Sequence, residues 1–329
     1  MQHTTMQLSA MPATVVVFGG SGFIGSHLVA RLSAAGMRVI VPTRRYERTK
    51  HLIFLPRVEV VQADIADNSV LRGLLQRADA AINLVGVLHS RRAMPYGEQF
   101  RRAHVELPRR IVAACADAGV KRYLHMSALG AAADGPSMYQ RSKADGEIAA
   151  RSAPTVAATI FRPSVVFGPG DAFLNTFARL QKYLPFIPLA GADTDFQPIY
   201  VGDVAQAFVN ALGELKTRHQ VYHLGGPQIY SLAELVRLAG RYSGHPRPVF
   251  ALPDALARLQ AGFFELLPGD PVISRDNLDS MKVDNVVDPA IQATTAQALG
   301  IKLTPLEAVA PHYLTPAARM DDFRARAGR

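Results

Sequence analysis

A tyrosine and a lysine four residues apart, Tyr139 and Lys143, can together move a proton. Residues at that spacing share one face of a helix, so the lysine ammonium can lower the phenol pKa from about 10 towards neutral pH. Tyr139 is then the candidate general acid or base, and Lys143 can also hold a bound ribose. Ser127, at the carboxyl end of a predicted strand, can hydrogen-bond a substrate oxygen. An exposed Tyr-Lys pair without any chemistry is the alternative.

A glycine-rich turn near the amino terminus has the spacing G-x-x-G-x-x-G, with Gly19, Gly22 and Gly25. An apolar strand precedes it and a helix follows, which is the order that a dinucleotide site requires. Gly19 allows the tight turn, Gly22 lets the backbone approach a pyrophosphate, and Gly25 lets the helix pack on the strand. Phe23 and Ile24 begin that helix, whose amides would face phosphates. A nicotinamide dinucleotide is expected here, and a turn without a ligand is the alternative.

Residues at the end of the second strand indicate which dinucleotide is preferred. Thr43, Arg44 and Arg45 stand where NAD-binding folds usually carry an acid for the ribose 2′-hydroxyl. A guanidinium matches a 2′-phosphate, whereas a carboxylate would repel it. NADP is therefore expected in preference to NAD, unless both arginines point to solvent.

Two further segments are predicted to contact the cofactor. Asp64, followed by Ile65 just past the third strand, can accept a hydrogen bond from an adenine amine, and it can equally cap the next helix. The segment from Asn83 to Gly86 follows the fourth strand and is expected to lie along the cofactor.

Apolar runs alternate with helical patterns from residue 14 onward. This predicts an α/β fold, a doubly wound parallel Rossmann sheet with a smaller, interleaved carboxyl-terminal substrate lobe. The expected strands are Thr14–Phe18, Arg38–Val41, Val58–Gln62, Ala80–Val85, Arg122–Ser127 and Ala158–Val166. The expected helices are Phe23–Ala35, Ser69–Arg77, Glu98–Ala118, with a kink or restart at Pro108, and Tyr139–Ser152.

Domain boundaries follow from where this alternation loosens. The nucleotide domain is expected over residues 12–168 and about 199–225, where a strand, a helix and another strand recur. The substrate or partner lobe is expected over about 169–198 and 226–329.

Composition limits the class of protein. The 329 residues are 49% hydrophobic and 19% charged, and no apolar run approaches the roughly 20 residues of a membrane span. The first eleven residues do not resemble a signal peptide and are expected to form a loose tail, in a cytoplasmic protein. Cys115 is the single cysteine, which excludes an internal disulfide, and it is expected to be a small buried hydrophobe.

The net charge of +9 implies attraction to anions. The arginine pairs of the sequence are scattered, and they lack the aromatic or helix-turn-helix surroundings of nucleic-acid modules. No nucleic acid is therefore expected as a partner. No metal is expected either, because no histidine cluster has ligand spacing.

Several motifs together resemble the extended short-chain dehydrogenase/reductase superfamily. They are the glycine turn, the run Tyr139-Gln140-Arg141-Ser142-Lys143, and the run from Arg162 to Pro169. Further stretches are similar to the atypical branch that contains the NAD(P)H-binding accessory subunit of respiratory complex I, alpha subcomplex subunit 9, and its bacterial relatives: His125 to Ser127, Tyr139 to Glu147, Phe173 to Asn175, Gln197 to Val204 and Ile273 to Asp276. This resemblance covers nearly the whole chain, implies a tightly held NADPH, and adds Pro163 and Val166 as cofactor contacts.

Two functions of different classes are consistent with these residues. One is an NADP-dependent oxidoreductase acting on a hydrophobic carbonyl, alcohol or quinone-related compound, linked to NADH:ubiquinone oxidoreductase. The other is a non-catalytic accessory or assembly protein that NADPH stabilises and that contacts a respiratory-complex subunit. A peripheral contact at the inner face of a respiratory membrane is a further expectation, and a nucleotide-sugar epimerase or dehydratase is a weaker alternative.

His104 marks a departure from the superfamily pattern, since many extended members carry an asparagine in the helix after the fourth strand. A proton relay built on that asparagine would be altered or absent. His104 could replace it, or it could be a buried structural histidine.

The segment from Pro253 to Leu267 predicts an amphipathic helix. Its apolar face would consist of Leu256, Leu259, Phe263, Leu266 and Leu267. Packing into the core is one interpretation, and docking onto a membrane surface or hydrophobic partner is the other.

Overall fold

The computed structural model describes residues 11–269 and 271–315, apart from the side chain of Arg48. Residues 1–10 of the predicted amino-terminal tail and residues 316–329 of the predicted second lobe lie outside these ranges. The chain forms two compact units. The first contains the described residues up to Pro163, together with Gly202–Leu224 and Ala290–Ile301, and the second contains Ser164–Val201, Gly225–Pro289 and the described residues from Lys302 onward.

The strands, in chain order, are β1 (Thr14–Phe18), β2 (Arg38–Thr43), β3 (Val58–Gln62), β4 (Ala80–Asn83), β5 (Arg122–Met126), β6 (Ala157–Pro163), β7 (Val166–Phe167), β8 (Ile187–Leu189), β9 (Asp195–Phe196), β10 (Ile199–Tyr200), β11 (Val221–Leu224), β12 (Tyr230–Ser231) and β13 (Val249–Ala251).

The α-helices are α1 (Phe23–Ala34), α2 (Asn68–Leu75), α3 (Glu98–Phe100), α4 (Leu107–Ala118), α5 (Met138–Ala150), α6 (Phe173–Tyr183), α7 (Val201–Gly213), α8 (Leu232–Tyr242), α9 (Asp254–Leu266), α10 (Arg275–Ser280) and α11 (Leu306–Leu314). None of these helices is both long enough and apolar enough to cross a bilayer.

Seven strands of the first unit form one parallel sheet in the order β11-β6-β5-β4-β1-β2-β3. Strands β1, β2 and β3 follow one another towards one edge of the sheet. Strands β4, β5, β6 and β11 then follow one another towards the other edge. In open parallel sheets, ligands bind beyond the carboxyl ends of the strands at such a reversal. The predicted doubly wound parallel sheet is confirmed.

Different helices cover the two faces of this sheet. Leu71 of α2 and Ile111 of α4 are buried in one cluster with Val16 of β1. Phe208 of α7 lies on Phe161 of β6 with 4.1 Å between the ring centroids. Phe161 points away from that cluster because successive strand residues face opposite sides, so both faces are closed to water.

The helical stretch from residue 98 to 118 changes its winding near Pro108. A π-helical turn, Arg101–Glu106, separates α3 from α4, and Pro108 is the second residue of α4. Proline has no amide hydrogen to donate to the carbonyl of His104, four residues earlier. The predicted restart at Pro108 is confirmed. Cys115 of α4 is fully buried, and burial raises the pKa of its thiol to about 12, as expected of a buried hydrophobe.

The second unit is built mainly from helices. Leu174 of α6, Leu235 of α8 and Leu306 of α11 are buried in one cluster. Three two-stranded sheets accompany the helices, pairing β10 with β7, β12 with β9, and β13 with β8. A separate cluster joins Ala257 and Ala261 of α9 to Leu278 of α10.

Two predicted domain boundaries require correction. The first stretch of the nucleotide domain was predicted to end at residue 168, whereas the first unit ends there at Pro163. The sequence assigned all of 226–329 to the second lobe, whereas Ala290–Ile301 belongs to the first unit. The backbone amide of His223 in β11 donates to Thr294 O over 2.8 Å, and Asn210 Nδ2 of α7 donates to Leu299 O over 2.8 Å. The segment has no periodic apolar residues, and hydrogen bonds to its carbonyl oxygens produce no sequence pattern. Its place in the first unit could therefore not be predicted.

The predicted α9 helix forms, but its large apolar residues do not enter the core. Leu259 and Leu266 are 72% and 84% exposed, and Leu256, Phe263 and Leu267 are exposed as well. The core-packing interpretation of this face is therefore wrong, because the helix is buried through its small residues instead.

Two helical glycines provide a test of how closely the elements pack. A Cβ on Gly146 of α5 would lie 2.2 Å from the carbonyl oxygen of His104, whereas a Cβ on Gly73 of α2 would meet no atom within 4 Å. We expect Gly146→Ala to lower the free energy of unfolding by roughly 1–3 kcal/mol, because α5 must move. Gly73→Ala should raise it by about 0.5–1 kcal/mol through helix propensity. Denaturant unfolding of both variants checks this, and changes of the same sign would contradict it.

Candidate functional site

The glycine turn joins β1 to α1 without room for side chains. A Cβ on Gly25 would lie 2.2 Å from Gly19 O, so only glycine permits this approach of helix to turn. Gly19 has φ +80°, a conformation that other residues rarely adopt. Gly22 is the N-cap of α1 and supplies no side-chain cap, and the first helical turn contains no acid. The amides of this turn, which includes Phe23 and Ile24, thus present an unneutralised helix dipole, as an anion site requires.

The end of β2 presents two arginines. The strand runs two residues further than predicted and ends at Thr43, whose buried Oγ1 accepts a hydrogen bond from Arg45 N over 3.2 Å. Arg44 and Arg45 follow directly and are exposed. Among the described residues, neither guanidinium forms an ion pair with a carboxylate. Both cations are therefore available to an anionic ligand.

Asp64 follows β3 and does not cap the next helix. Its Oδ1 accepts from Ala66 N over 3.0 Å, while Asp67 caps α2 by accepting from Ser69 N over 2.7 Å. The capping alternative for Asp64 is therefore wrong. Ile65 lies beside it, with its carbonyl oxygen held by Arg110 Nη2 at 3.2 Å.

The loop after β4 connects the glycine turn to the candidate catalytic lysine. Asn83 is buried, and its Oδ1 accepts from Val85 N over 3.0 Å, which fixes the first turn of the loop. A Cβ on Gly19 would lie 3.1 Å from Val85 N, and one on Gly86 would lie 3.5 Å from Lys143 Nζ. The loop therefore packs against the glycine turn at one end and against α5 at the other.

His104 is held as a neutral imidazole. Its Nε2 accepts from Val87 N over 3.1 Å, so the ring proton is on Nδ1, which donates to Ser142 Oγ at 2.8 Å. Burial, with Lys143 and His125 nearby, lowers the pKa of His104 to about 2. The structure favours the structural histidine over a proton relay, because neither ring nitrogen is left to carry protons.

Tyr139 and Lys143 share one face of α5, but their electrostatics differ from the prediction. The Nζ atom of Lys143 lies 5.7 Å from the centre of the Tyr139 ring and donates to Met126 O over 3.2 Å. Burial raises the pKa of Tyr139 to about 12 and lowers that of Lys143 to about 8, the latter against the opposing effect of Glu147. The predicted lowering of the phenol pKa is wrong for this state, because desolvation of the phenolate is the dominant effect.

Ser127 is buried just past β5 and is hydrogen-bonded to Glu147, an acid for which the sequence predicted no role. Its Oγ donates to Glu147 Oε1 over 2.6 Å. Arg162 of β6 donates two hydrogen bonds to the same carboxylate, from Nε to Oε1 over 2.6 Å and from Nη2 to Oε2 over 2.8 Å. Because the hydroxyl proton is committed to Glu147, Ser127 offers lone pairs and accepts hydrogen bonds in this rotamer. The spacing of Tyr139, Lys143 and Glu147, four residues each, is the signal that could have revealed Glu147.

The remaining predicted contacts fall in different units. Pro163 ends β6 and its carbonyl oxygen accepts from Leu129 N over 2.9 Å, within the first unit. Val166 begins β7 and belongs to the second unit. The first unit brings together Gly86, His104, Tyr139 and Lys143, with Ser127 just past β5 and Glu147 on α5 beside them.

The class of protein follows from this fold and these residues. Residues 15–225 match the sequence profile of the NAD dependent epimerase/dehydratase family, and the chain belongs to that family. Within it, the chain is similar to mitochondrial NADH dehydrogenase [ubiquinone] 1 alpha subcomplex subunit 9. The Mus musculus protein is 32% identical over 306 residues, which are 91% of this chain and 79% of that protein. The predicted resemblance to that branch is confirmed.

Two further comparisons are informative. A ceramide reductase from Caulobacter vibrioides is 32% identical over 195 residues, covering 59% of each protein. The structure of UDP-glucuronic acid 4-epimerase from Bacillus cereus, in complex with UDP-glucuronic acid and NAD, covers 82% of this chain and 99% of that one, with a TM-score of 0.62 and 20% identity. This second likeness establishes the fold alone.

The buried histidines predict how stability depends on pH. Burial lowers the pKa of His104 to about 2 and that of His125 to about 3, from 6.5. Below about pH 6.5 the unfolded chain takes up a proton at each site and the folded chain does not, so stability is complete above that pH and falls by about 1.4 kcal/mol per pH unit per histidine. His104→Gln and His125→Gln should each reduce the slope of unfolding free energy between about pH 6.5 and about pH 5 by that amount. Wild-type slopes in both variants would refute the assignment.

Proposed function

We propose that this protein binds NADP(H) and reduces a carbonyl group of a hydrophobic or quinone-related compound. The observation that carries the proposal is the convergence of Gly86, Tyr139 and Lys143 beyond the carboxyl ends of the central strands. A phenol and an ammonium group there can supply a proton and hold a nucleotide sugar.

The residues of the first unit fit a dinucleotide. The uncapped start of α1 suits a pyrophosphate, because its amides and dipole attract negative charge and its first turn holds no acid. The close approach of Gly25 to Gly19 keeps that surface free of side chains. Lys143 would hold the nicotinamide ribose, and Asp64 would accept from the adenine amine.

The preference for NADP rests on Arg44 and Arg45. Both follow Thr43 at the end of β2, where an acid would favour the free 2′-hydroxyl of NAD. Their side chains are exposed and carry no carboxylate partner among the described residues, so a 2′-phosphate would add ion pairs without breaking any.

The protonation states of Tyr139 and Ser127 favour reduction of a carbonyl over oxidation of an alcohol. NADPH, when bound, would supply the hydride for reduction of a carbonyl, and the carbonyl oxygen would need a proton from this chain. Burial raises the pKa of Tyr139 to about 12, so the phenol is protonated at neutral pH and can donate. Ser127 acts as an acceptor for the product hydroxyl, since Glu147 holds its proton.

The names of two relatives support different parts of this proposal. The Caulobacter relative is named a reductase of ceramide, a compound with long hydrocarbon chains. The mouse relative is named a subunit of a ubiquinone-linked NADH dehydrogenase. A hydrophobic substrate and action at the inner face of a respiratory membrane are therefore proposed together.

The second candidate function is a non-catalytic, NADPH-stabilised accessory or assembly protein of a respiratory complex. The specific observation in its favour is the commitment of the Ser127 hydroxyl proton to Glu147, which removes one donor from a catalytic oxyanion site. Similarity to a respiratory-complex subunit over 91% of this chain supports it further. Bound NADPH would then stabilise the native state by preferential binding.

The cofactor preference is tested by replacing both arginines with alanine. Arg44→Ala/Arg45→Ala should weaken NADPH binding by roughly 10- to 100-fold while changing NADH binding little, because only NADPH carries the 2′-phosphate. Calorimetric titration of both nucleotides measures this. The control Arg72→Ala/Lys121→Ala removes the same charge from exposed sites elsewhere in the first unit and should change neither affinity. An equal loss for NADPH and NADH in the arginine variant would show the assignment to be mistaken.

Catalysis is tested by separating the phenol from the lysine. With a panel of hydrophobic carbonyls and quinones, Tyr139→Phe should lower the rate of NADPH oxidation by roughly 10²- to 10⁴-fold and leave NADPH affinity nearly intact. Lys143→Met should reduce both, because the lysine also holds the ribose. Tyr96→Phe is the matched control, since it removes a tyrosine hydroxyl that donates to Asp145 of α5 over 2.6 Å and has no proposed role in the reaction. Full activity in Tyr139→Phe would exclude that residue as the acid, and NADPH binding without any turnover would favour the accessory role.

A further inference from the structure

The second unit exposes large apolar side chains along two neighbouring elements. On α9, Leu256, Leu259, Phe263 and Leu266 occupy one helical face and are exposed, whereas Ala257 and Ala261 on the opposite side are buried. A core-facing helix shows the reverse arrangement, with large side chains inside. This helix therefore presents its apolar stripe outward.

Exposed apolar side chains also occur on β13, the strand that leads into α9. Phe250 of β13 is exposed and contacts the exposed Phe186, with 6.0 Å between the ring centroids. Leu252, between β13 and α9, donates its amide to Leu189 O over 2.9 Å and so ties the start of the helix to β8. We call the exposed residues Phe186, Phe250, Leu256, Leu259, Phe263 and Leu266 the apolar face.

The two sequence segments that carry Phe186 and Phe250 of the apolar face contain cationic residues and no acids. Residues 179–190 and 241–253 contain Arg179, Lys182, Arg241 and Arg247 but no aspartate or glutamate. All four side chains are exposed. Gln181 brings two of them together, because its carbonyl oxygen accepts from Arg247 Nε over 3.1 Å and the next residue is Lys182.

The acids on α9 itself are already neutralised. Asp254 accepts from Arg258 Nε over 2.9 Å, and Glu265 pairs with Arg275 Nη2 over 2.7 Å. Both carboxylates of α9 are thus ion-paired beside its hydrophobic surface, while residues 179–190 and 241–253 add positive charge. This combination fits an anionic and apolar surface, and it does not fit a basic protein partner.

We propose that the apolar face docks this protein onto an anionic lipid bilayer, with α9 lying in the plane of the interface. The apolar side chains would enter the boundary between headgroups and acyl chains, and the four cations would contact lipid phosphates. The inference goes beyond the proposed reaction, since it concerns residues of the second unit and requires neither cofactor nor turnover.

Vesicle flotation of the full-length protein tests the proposal. At low salt, the wild type should float with phosphatidylcholine vesicles containing phosphatidylglycerol and much less with phosphatidylcholine alone, because part of the affinity is electrostatic. Leu259→Ser/Phe263→Ser should weaken binding by at least about tenfold, since two buried apolar side chains are lost. Arg179→Gln/Lys182→Gln should weaken it by about fivefold per charge, and this loss should disappear at high salt.

The matched control is Phe54→Ser, which changes an equally prominent side chain, 78% exposed, in the first unit. It should bind vesicles like the wild type, and all variants should melt like the wild type because the changed side chains are exposed. Failure of the wild type to bind anionic vesicles, or undiminished binding by the Leu259 and Phe263 variant, would overturn the proposal. Light scattering adds a separate outcome: a dimer that this variant converts to a monomer would identify a second copy as the occupant and would also overturn it.

Discussion

The close approach of α1 to the glycine turn is the constraint on which the rest of the site depends. A Cβ on Gly25 would overlap the carbonyl oxygen of Gly19, so the helix start and the turn are in direct backbone contact. A Cβ on Gly19 would lie 3.1 Å from Val85 N in the loop after β4. A Cβ on Gly86 of that loop would lie 3.5 Å from Lys143 Nζ of α5. A continuous path of close contacts therefore links the proposed phosphate-binding end of the site to its candidate acid and lysine. A side chain at Gly25 would force the start of α1 away from the turn.

A buried ion pair organises the other side of α5. The Glu147 carboxylate is removed from water, which is costly unless it is paired and fully hydrogen-bonded. Arg162 supplies two bonds and Ser127 a third, so the carboxylate joins α5 to β6 and to the end of β5. The same bonds fix the proton of Ser127, which turns an expected donor into an acceptor. The single hydroxyl proton of Ser127 cannot be donated both to Glu147 and to a substrate carbonyl. The hydrogen bond that stabilises the buried carboxylate therefore also limits the chemistry of the serine.

Local sequence patterns predicted most of the first unit. The strands of the sheet alternate with helices at lengths that permit only parallel crossovers, and the glycine spacing located the turn. The environment of the site was less predictable, because it depends on burial. The spacing of Tyr139 and Lys143 suggests a lowered phenol pKa, whereas desolvation raises it, and no local pattern records how deeply a side chain is buried. The amphipathic pattern of α9 was correct, but periodicity identifies an apolar face without telling whether it points inward or outward.

We propose above that the glycine turn and the arginines after β2 hold NADP(H) in the first unit. Mass spectrometry can identify the nucleotide released from the protein purified without added cofactor. We expect NADPH or NADP⁺ in near-stoichiometric amount. Release of NAD(H) alone would show the arginine assignment to be wrong, and failure to find any dinucleotide, either released or retained after incubation with NADPH, would show that the first unit does not hold this cofactor.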